Sequence, residues 1–442
     1  EGVGTRLVAY TVCTQPEPQD ATHLLDHARN NLPTYMCPVQ IVSLDTIPLT
    51  SNGKVDRKAL PTPVVEINAN SRPPMTETEE QIAQIWRDCL QQAAIPANQS
   101  FFDFGGNSLA AVRVISRINS QLGSQLTAGH LQSHDTIERL ASLIDRRTTY
   151  ESSEPVLLNP TKEAKPPLFI VHPIGGHLLS YQPLAQQLDH VSLYGLAYPE
   201  TGFKQNEFDV TQLAQHYLNQ IKRIQPHGPY RLAGWSFGGI VAYEMAHQLV
   251  ESKQKVDACI LIDSYRPIPQ KETMSAQEVR RHFYADVIGR FPQLMQVEEP
   301  DLSTDDSLCG HLSSAFGHIA AIEDVTKDSV QHLLDVYRRN LAAMLSYTVP
   351  ELTSVNTALI AAGRNNHLDF MSYQDPIIAQ SPHHGWGDVC DLTVHELDGD
   401  HYTLLQEPNV SELANTLVSL LDRTLKRTQG SQSSTMEILE NE

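Results

Sequence analysis

The apolar run YRLAGW leads into Ser236 and then, without a break, into the amphipathic pattern FGGIVAYEMAHQL across residues 230–249. That order fits a buried strand that turns sharply into a helix lying back on the same sheet. Gly234 and Gly238 bracket the serine in the sequence Gly-Trp-Ser-Phe-Gly. Lacking side chains, they let strand and helix approach closely while the serine takes a strained turn. Ala242, Met245, Ala246 and Leu249 give the helix an apolar side. The spacing predicts an α/β sheet with a serine hydroxyl exposed at its rim.

The flanking sequence extends that reading. From Pro167 onward, the strand-like runs LFIVHPI, VSLYGLAY, ACILID, TALIAAG and DLTVHEL alternate with helical patterns, as in a mostly parallel sheet covered on both faces. Between Asp263 and TALIAAG lies an insertion of about 90 residues, too long for a simple crossover. Its helical stripes near 276–290 and 328–346 mark it as a candidate lid.

A serine at such a turn is a nucleophile when a base and an orienting acid stand beside it. His401, in LDGDHYTLL after the last strand pattern, is the candidate base. His395 and His247 fall inside a strand and a helix and read as packing or surface residues, while His172 and His177 flank another loop. Two acids compete for the third role. Asp263 ends the strand ACILID next to the nucleophile strand, and Asp369 follows the next strand in the loop RNNHLDF. A strand end places a carboxylate more firmly than a loop, which favours Asp263. Asp398 and Asp400 read as turn carboxylates. For the oxyanion formed on attack, the backbone N–H of Phe237 at the helix start and that of Ile174 in LFIVHPIGG are the candidate donors.

The rest of the chain is organised differently. Residues 1–65 carry a strand pattern TRLVAYTV, a helical stretch HLLDHARNNL, the run QIVSLDTIPLT and a turn SNGK, a small α+β unit. A proline- and asparagine-bearing linker runs from Pro61 to Pro74. Thr76 and Glu79 then form a capping box for a helix containing Ile82, Ile85, Trp86 and Leu90, with further helical patterns near 108–121 and 136–147. Ser108 opens one of them after FFDFGGN, where the local reading is a helix cap. Residues 150–167 turn polar again, and the serine-rich tail 426–442 is expected to be disordered.

Composition narrows the function classes. A formal charge of -20 disfavours a nucleic-acid-binding surface, which needs lysine and arginine against phosphates. The six cysteines are scattered without metal-ligand spacing and read as reduced packing residues of a cytoplasmic protein, and no metal is expected. No apolar run approaches the roughly 20 residues that span a bilayer, so no membrane partner is expected. Starting without Met on a strand pattern, the chain reads as a fragment of a larger polypeptide.

The segment FFDFGGNSLAAVRVISRI resembles the carrier-protein motif of nonribosomal peptide synthetases, with Ser108 matching the serine that receives 4′-phosphopantetheine. LPTYMCP (32–38) and LTSNGKVDRKAL (49–60) resemble the two closing motifs of an adenylation domain's C-terminal subdomain, with Lys54 matching its substrate-contacting lysine. Region 166–425 resembles the type I thioesterases that terminate these assembly lines. The resemblance implies three units: an adenylation remnant (1–65), a four-helix carrier bundle (75–148) and an α/β-hydrolase thioesterase (166–425) with a helical lid at about 266–350. It carries the triad onto Ser236, Asp263 and His401 and the oxyanion donors onto Ile174 and Phe237. It also implies release of a carrier-bound peptidyl thioester through a seryl acyl-enzyme, by hydrolysis or macrocyclisation. The implied partners are upstream adenylation and condensation domains, a phosphopantetheinyl transferase and a peptidyl substrate. A free-acting esterase or lipase would have no use for a carrier, and a noncatalytic scaffold would have no use for the triad.

Overall fold

The computed structural model describes residues 8–12, 24, 40–44, 46–50, 54–57, 59–61 and most of 71–422. Within that last span it leaves out 91, 105, 107, 123, 125, 127–129, 132–133, 146–153, 160–165, 189, 200–207, 271–273, 297–299, 321–324, 365–377 and 379–380. The chain divides into two compact units, residues 1–70 and 71–442.

In the first unit, β1 (Val8–Thr11) and β2 (Gln40–Ser43) pair in parallel. Leu49 and Val55 form an antiparallel bridge, and Thr50 N–H donates to Lys54 O at 2.7 Å. Residues 51–53 and nearly all of the stretch read as a helix at 23–32 lie outside the described residues.

The second unit opens with three helices, α1 (Glu77–Leu90), α2 (Ser108–Leu122) and α3 (Ile137–Asp145). Thr76 caps α1 by accepting the Glu79 N–H at 3.1 Å, and the Glu79 carboxylate accepts the Met75 N–H at 2.7 Å. Arg72 joins Glu79 of α1 to Glu138 of α3, at 2.8 and 2.9 Å. Its hydrogen bond holds the Glu79 carboxyl down at about 2. Trp86 and Phe101 meet edge to face at 5.0 Å in the core. Three of the four helices expected here are thus among the described residues.

The α/β layer follows. Its strands are β3 (Val156–Leu157), β4 (Leu168–Val171), β5 (Leu193–Leu196), β6 (Tyr230–Trp235), β7 (Val256–Ile262), β8 (Thr357–Ala362) and β9 (Leu392–Leu397), in sheet order β3-β5-β4-β6-β7-β8-β9. All neighbours are parallel except β3 against β5. The sheet therefore reaches further back than the expected start at 166. Asn159 fastens this extension by bonding Leu193 N–H and the carbonyl of Val191, contacts that a polar composition does not announce.

Alternation along the strands separates two apolar layers. Phe169, Val171, Leu232, Cys259 and Leu261 pack on one face with helices α5 (Val210–Ile224) and α6 (Phe237–Glu251). Leu168, Ile170, Trp235, Ile260 and Ile262 pack on the other with α4 (Gln182–Gln187) and the last helix, residues 409–422. Because both faces are covered, the central strands read as continuous apolar runs.

The insertion after β7 folds as α7 (Ala276–Arg290), α8 (Asp305–Ala320) and α9 (Lys327–Ser346), which join the first apolar layer. The sequence pattern located α7 and α9 but missed α8. Its stripe is diluted by Ser307, Gly310, Ser313, Ser314 and Gly317. A charged knot compensates: the Asp305 carboxylate takes Arg280 of α7 at 2.8 Å and Arg338 of α9 at 2.7 Å. Burial pushes that carboxyl up, but the two guanidiniums outweigh it and hold it below the usual range. Among the described residues no helix is long and apolar enough to cross a membrane.

Candidate active site

The site forms where β4, β6 and β7 end. Strand β6 is buried along its whole length and α6 starts immediately after Ser236, whose backbone has φ 57 and ψ −125. Close packing imposes this turn. A Cβ on Gly234 would lie 2.0 Å from the Gly238 carbonyl carbon, and one on Gly238 would lie 2.4 Å from Val171 O. Neither position accepts a side chain without backbone movement.

The register of β6 on β7 ends at Trp235 opposite Ile262, and Ser236 N–H donates to Ile262 O at 3.0 Å. Ser236 and Asp263 therefore leave the sheet side by side. Asp263 is 2 % exposed, with φ 40 and its N–H donating to Ile360 O at 2.7 Å. Its carboxylate is held from two sides. Oδ1 accepts the Ala362 N–H at 2.8 Å, and Oδ2 accepts from His401 Nδ1 at 2.7 Å. Burial alone would raise this carboxyl, yet the His401 bond, the charges of His401 and His384 and the Ala362 N–H bring it below its ordinary value. It is a carboxylate at neutral pH.

His401 is buried, its ring 4.9 Å from the Trp235 ring at a 32° tilt. The loop that carries it is fixed by Asp400, which accepts the N–H groups of Tyr402 and Thr403, both at 3.0 Å. Asp400 is thus a turn carboxylate, as its local pattern indicates.

On the other side of Ser236, the chain leaves β4 through a turn in which Gly176 N–H donates to Pro173 O at 2.9 Å and Gly176 takes φ 81. Ile174 sits in that turn, and its carbonyl accepts from Asn340 Nδ2 of α9 at 2.8 Å. Phe237 N–H is the first amide of α6, beyond the reach of intrahelical bonding. Phe237 follows the serine directly, and Ile174 lies in the turn after β4, the strand that pairs with β6.

Several features had no sequence signal. His384 is buried with φ 47, stacks on Tyr265 at 3.9 Å and stands 4.0 Å from Asp263 Oδ1. Of the four non-glycine residues with positive φ among those described, three are Ser236, Asp263 and His384. Strain of this kind costs roughly 1–3 kcal/mol per residue and gathers where geometry is constrained for function. The α7 end also closes on the site. Arg290 places its guanidinium carbon 4.9 Å above the Trp235 ring, pairs with Asp286 at 2.9 Å and donates to Ser180 Oγ at 3.1 Å. Gly289 lets Tyr402 lie against the α7 backbone, where a Cβ would fall 2.3 Å from its ring.

The other expected site residues lie elsewhere. Asp369 is outside the described residues. Lys54 is exposed in the first unit. Ser108 is the first residue of α2, and Gly106 ahead of it lies against the core, since a Cβ there would fall 2.1 Å from the Phe101 ring. A helix start favours the negative charge of a phosphodiester, so the position fits phosphopantetheine.

Three family descriptions match the chain in order: the AMP-binding enzyme C-terminal domain over residues 1–54, the phosphopantetheine attachment site over 80–144 and the thioesterase domain over 166–421. The chain is 36% identical over 278 residues to the dimodular nonribosomal peptide synthase of Bacillus subtilis (strain 168), covering 62% of this chain and 12% of that protein. It is 30% identical over 407 residues to the indigoidine synthase of Streptomyces lavendulae, covering 88% of this chain and 30% of the synthase. Among solved structures it matches a four domain nonribosomal peptide synthetase bound to AMP and glycine, with a TM-score of 0.53 at 25% identity, over 93% of this chain and 31% of that one. The chain spans less than a third of the length of these relatives.

Proposed function

Because the chain belongs to the thioesterase family and carries a phosphopantetheine attachment site ahead of that domain, we propose that it releases a carrier-bound peptidyl chain at the end of a nonribosomal peptide synthetase. Residues 1–65, 75–148 and 166–425 act in this reading as adenylation remnant, carrier and thioesterase. When bound to Ser108, 4′-phosphopantetheine supplies a thiol on a long arm that holds the acyl chain as a thioester.

Ser236 Oγ attacks the thioester carbonyl while His401 Nε2 takes its proton. The Ile174 and Phe237 amides hold the oxyanion, the C–S bond breaks, and the proton passes from His401 to the leaving thiolate, giving the free thiol. Asp263 fixes the imidazole tautomer and stabilises the imidazolium. Water, or an amine or hydroxyl of the acyl chain, then attacks the seryl ester with His401 again as base, giving an acid or a ring. The observation that supports this reading most is the 2.7 Å bond between His401 and Asp263 beside the strained turn at Ser236. The upstream adenylation and condensation domains supply the chain, and a phosphopantetheinyl transferase installs the arm.

Intact-mass measurement tests the assignment. A phosphopantetheinyl transferase with acyl-coenzyme A should load the wild-type chain and Ser236→Ala but not Ser108→Ala. Wild type should then lose the acyl group while Ser236→Ala retains it. Release at the wild-type rate from Ser236→Ala would end the proposal.

A further inference from the structure

The two halves of the site hang from strands that part company. Strand β4 has β5 on one side and β6 on the other, so the chain reverses its progression across the sheet between β4 and β6. At such a point the loops leave toward opposite faces and a crevice opens at the carboxyl ends of the strands. Here the β4·β6 pairing stops at Val171 opposite Gly234. The turn of Ile174 begins beyond one edge of the crevice and Ser236 stands beyond the other.

A single hydroxyl spans the gap. Tyr181, at the end of the 3₁₀ turn Leu179–Tyr181, donates to Val171 O at 2.6 Å and accepts from Trp235 N–H at 3.0 Å. It replaces the rung that the diverging strands cannot form. The residue is fully buried, and burial pushes its phenol well above the usual range, so the hydroxyl keeps the proton it donates. Three residues past Val171 lies Ile174, and one past Trp235 lies Ser236. Resting on the reading of Ser236 as nucleophile, we infer that Tyr181 is a positioning residue, whose hydroxyl sets the spacing between the nucleophile turn and the loop that offers the Ile174 amide.

The reason is energetic as well as geometric. Deleting the hydroxyl leaves a buried carbonyl and a buried N–H without this partner, and the two edges are then free to separate. A displacement on the order of 1 Å between nucleophile and oxyanion donors costs about 100-fold in rate. The same turn reaches the lid, because the neighbouring Ser180 accepts from Arg290 of α7.

Tyr181→Phe keeps the ring and removes both bonds. In the full chain, reaction with a short alkyl fluorophosphonate reports on Ser236 without knowledge of the peptide. The expected result is a fall of about 10–100-fold in the maximal labelling rate, with half-saturation within about 2-fold of wild type. Ser236→Ala must not label; if it does, the nucleophile reading fails and this inference falls with it. If Ser236→Ala is silent while folded Tyr181→Phe labels at the wild-type rate, the inference alone is overturned. A second measurement is independent of how the variant folds. Amide exchange in the wild-type chain should show Trp235 N–H strongly protected, and exchange as fast as an exposed loop amide would overturn the bridge.

Discussion

Asp263 Oδ2 and His401 Nδ1 meet at 2.7 Å across 138 positions of sequence, with both residues buried. The bond joins the end of β7 to the loop after β9. An ionised carboxylate can only accept, so the proton sits on Nδ1 and Nε2 is left as the basic nitrogen.

Asp263→Asn should therefore lower release from the loaded carrier by about 10³–10⁴-fold, as the wrong tautomer disables the base. Substrate affinity should stay within a few-fold. With the acid's role filled by Asp263, Asp369→Asn is expected to cost less than about 3-fold. Single-turnover release measured by mass decides, and a larger loss at Asp369 would transfer the acid's role there.

Gly238→Ala should destabilise the chain severely. The added Cβ meets the Val171 carbonyl oxygen, a backbone atom that cannot swing aside. A loss of about 1–3 kcal/mol from overpacking is the floor here. Urea unfolding measures it, and an unchanged midpoint would contradict the close approach of α6 to β4.

Arg290 and Asp286 form a part-buried pair on α7, with Arg290 over Trp235. Arg290→Met leaves the Asp286 charge without its partner and should cost about 1–3 kcal/mol. Adding Asp286→Leu should restore much of that loss. A double-mutant cycle in urea tests the coupling, and strictly additive losses would mean that the two side chains do not act as a pair.

His172 is fully buried against Tyr198, Tyr217 and Phe237, and burial lowers its imidazole to about 4. The unfolded chain takes up this proton near pH 6.5 and the folded chain only near 4. In that window the unfolded state binds more protons, so stability must fall as pH drops from 6.5 to 4, by about 3 kcal/mol for this group. Urea midpoints across that range should show the fall, and His172→Gln should make it shallower, the buried His177 and the lowered His282 still contributing. An equal slope in both proteins would place the acid sensitivity elsewhere.

Local sequence was enough wherever one segment carries its own explanation. Strand, turn and helix around Ser236 were legible because Gly234 and Gly238, the apolar run and the helical stripe lie within 20 consecutive residues. The helices α7 and α9 showed their stripes, and the carrier and adenylation segments were legible from short motifs later matched by family descriptions. The helix α8 and the strand β3 were not, since one relies on a charge knot with its neighbours and the other on an edge of a distant strand.

Sequence by itself determined the order of the units, the two-faced sheet and the candidate nucleophile, since periodicity and glycine spacing act over short range. Tertiary structure decided what lies beside what. It put two of the 19 histidines, His401 and His384, next to Asp263, laid Arg290 over Trp235 and hung the Tyr181 hydroxyl between two parting strands. Contacts of this kind depend on where strands end and how loops cross the rim of the sheet, and residues far apart in the chain carry no mark of one another until the fold brings them together.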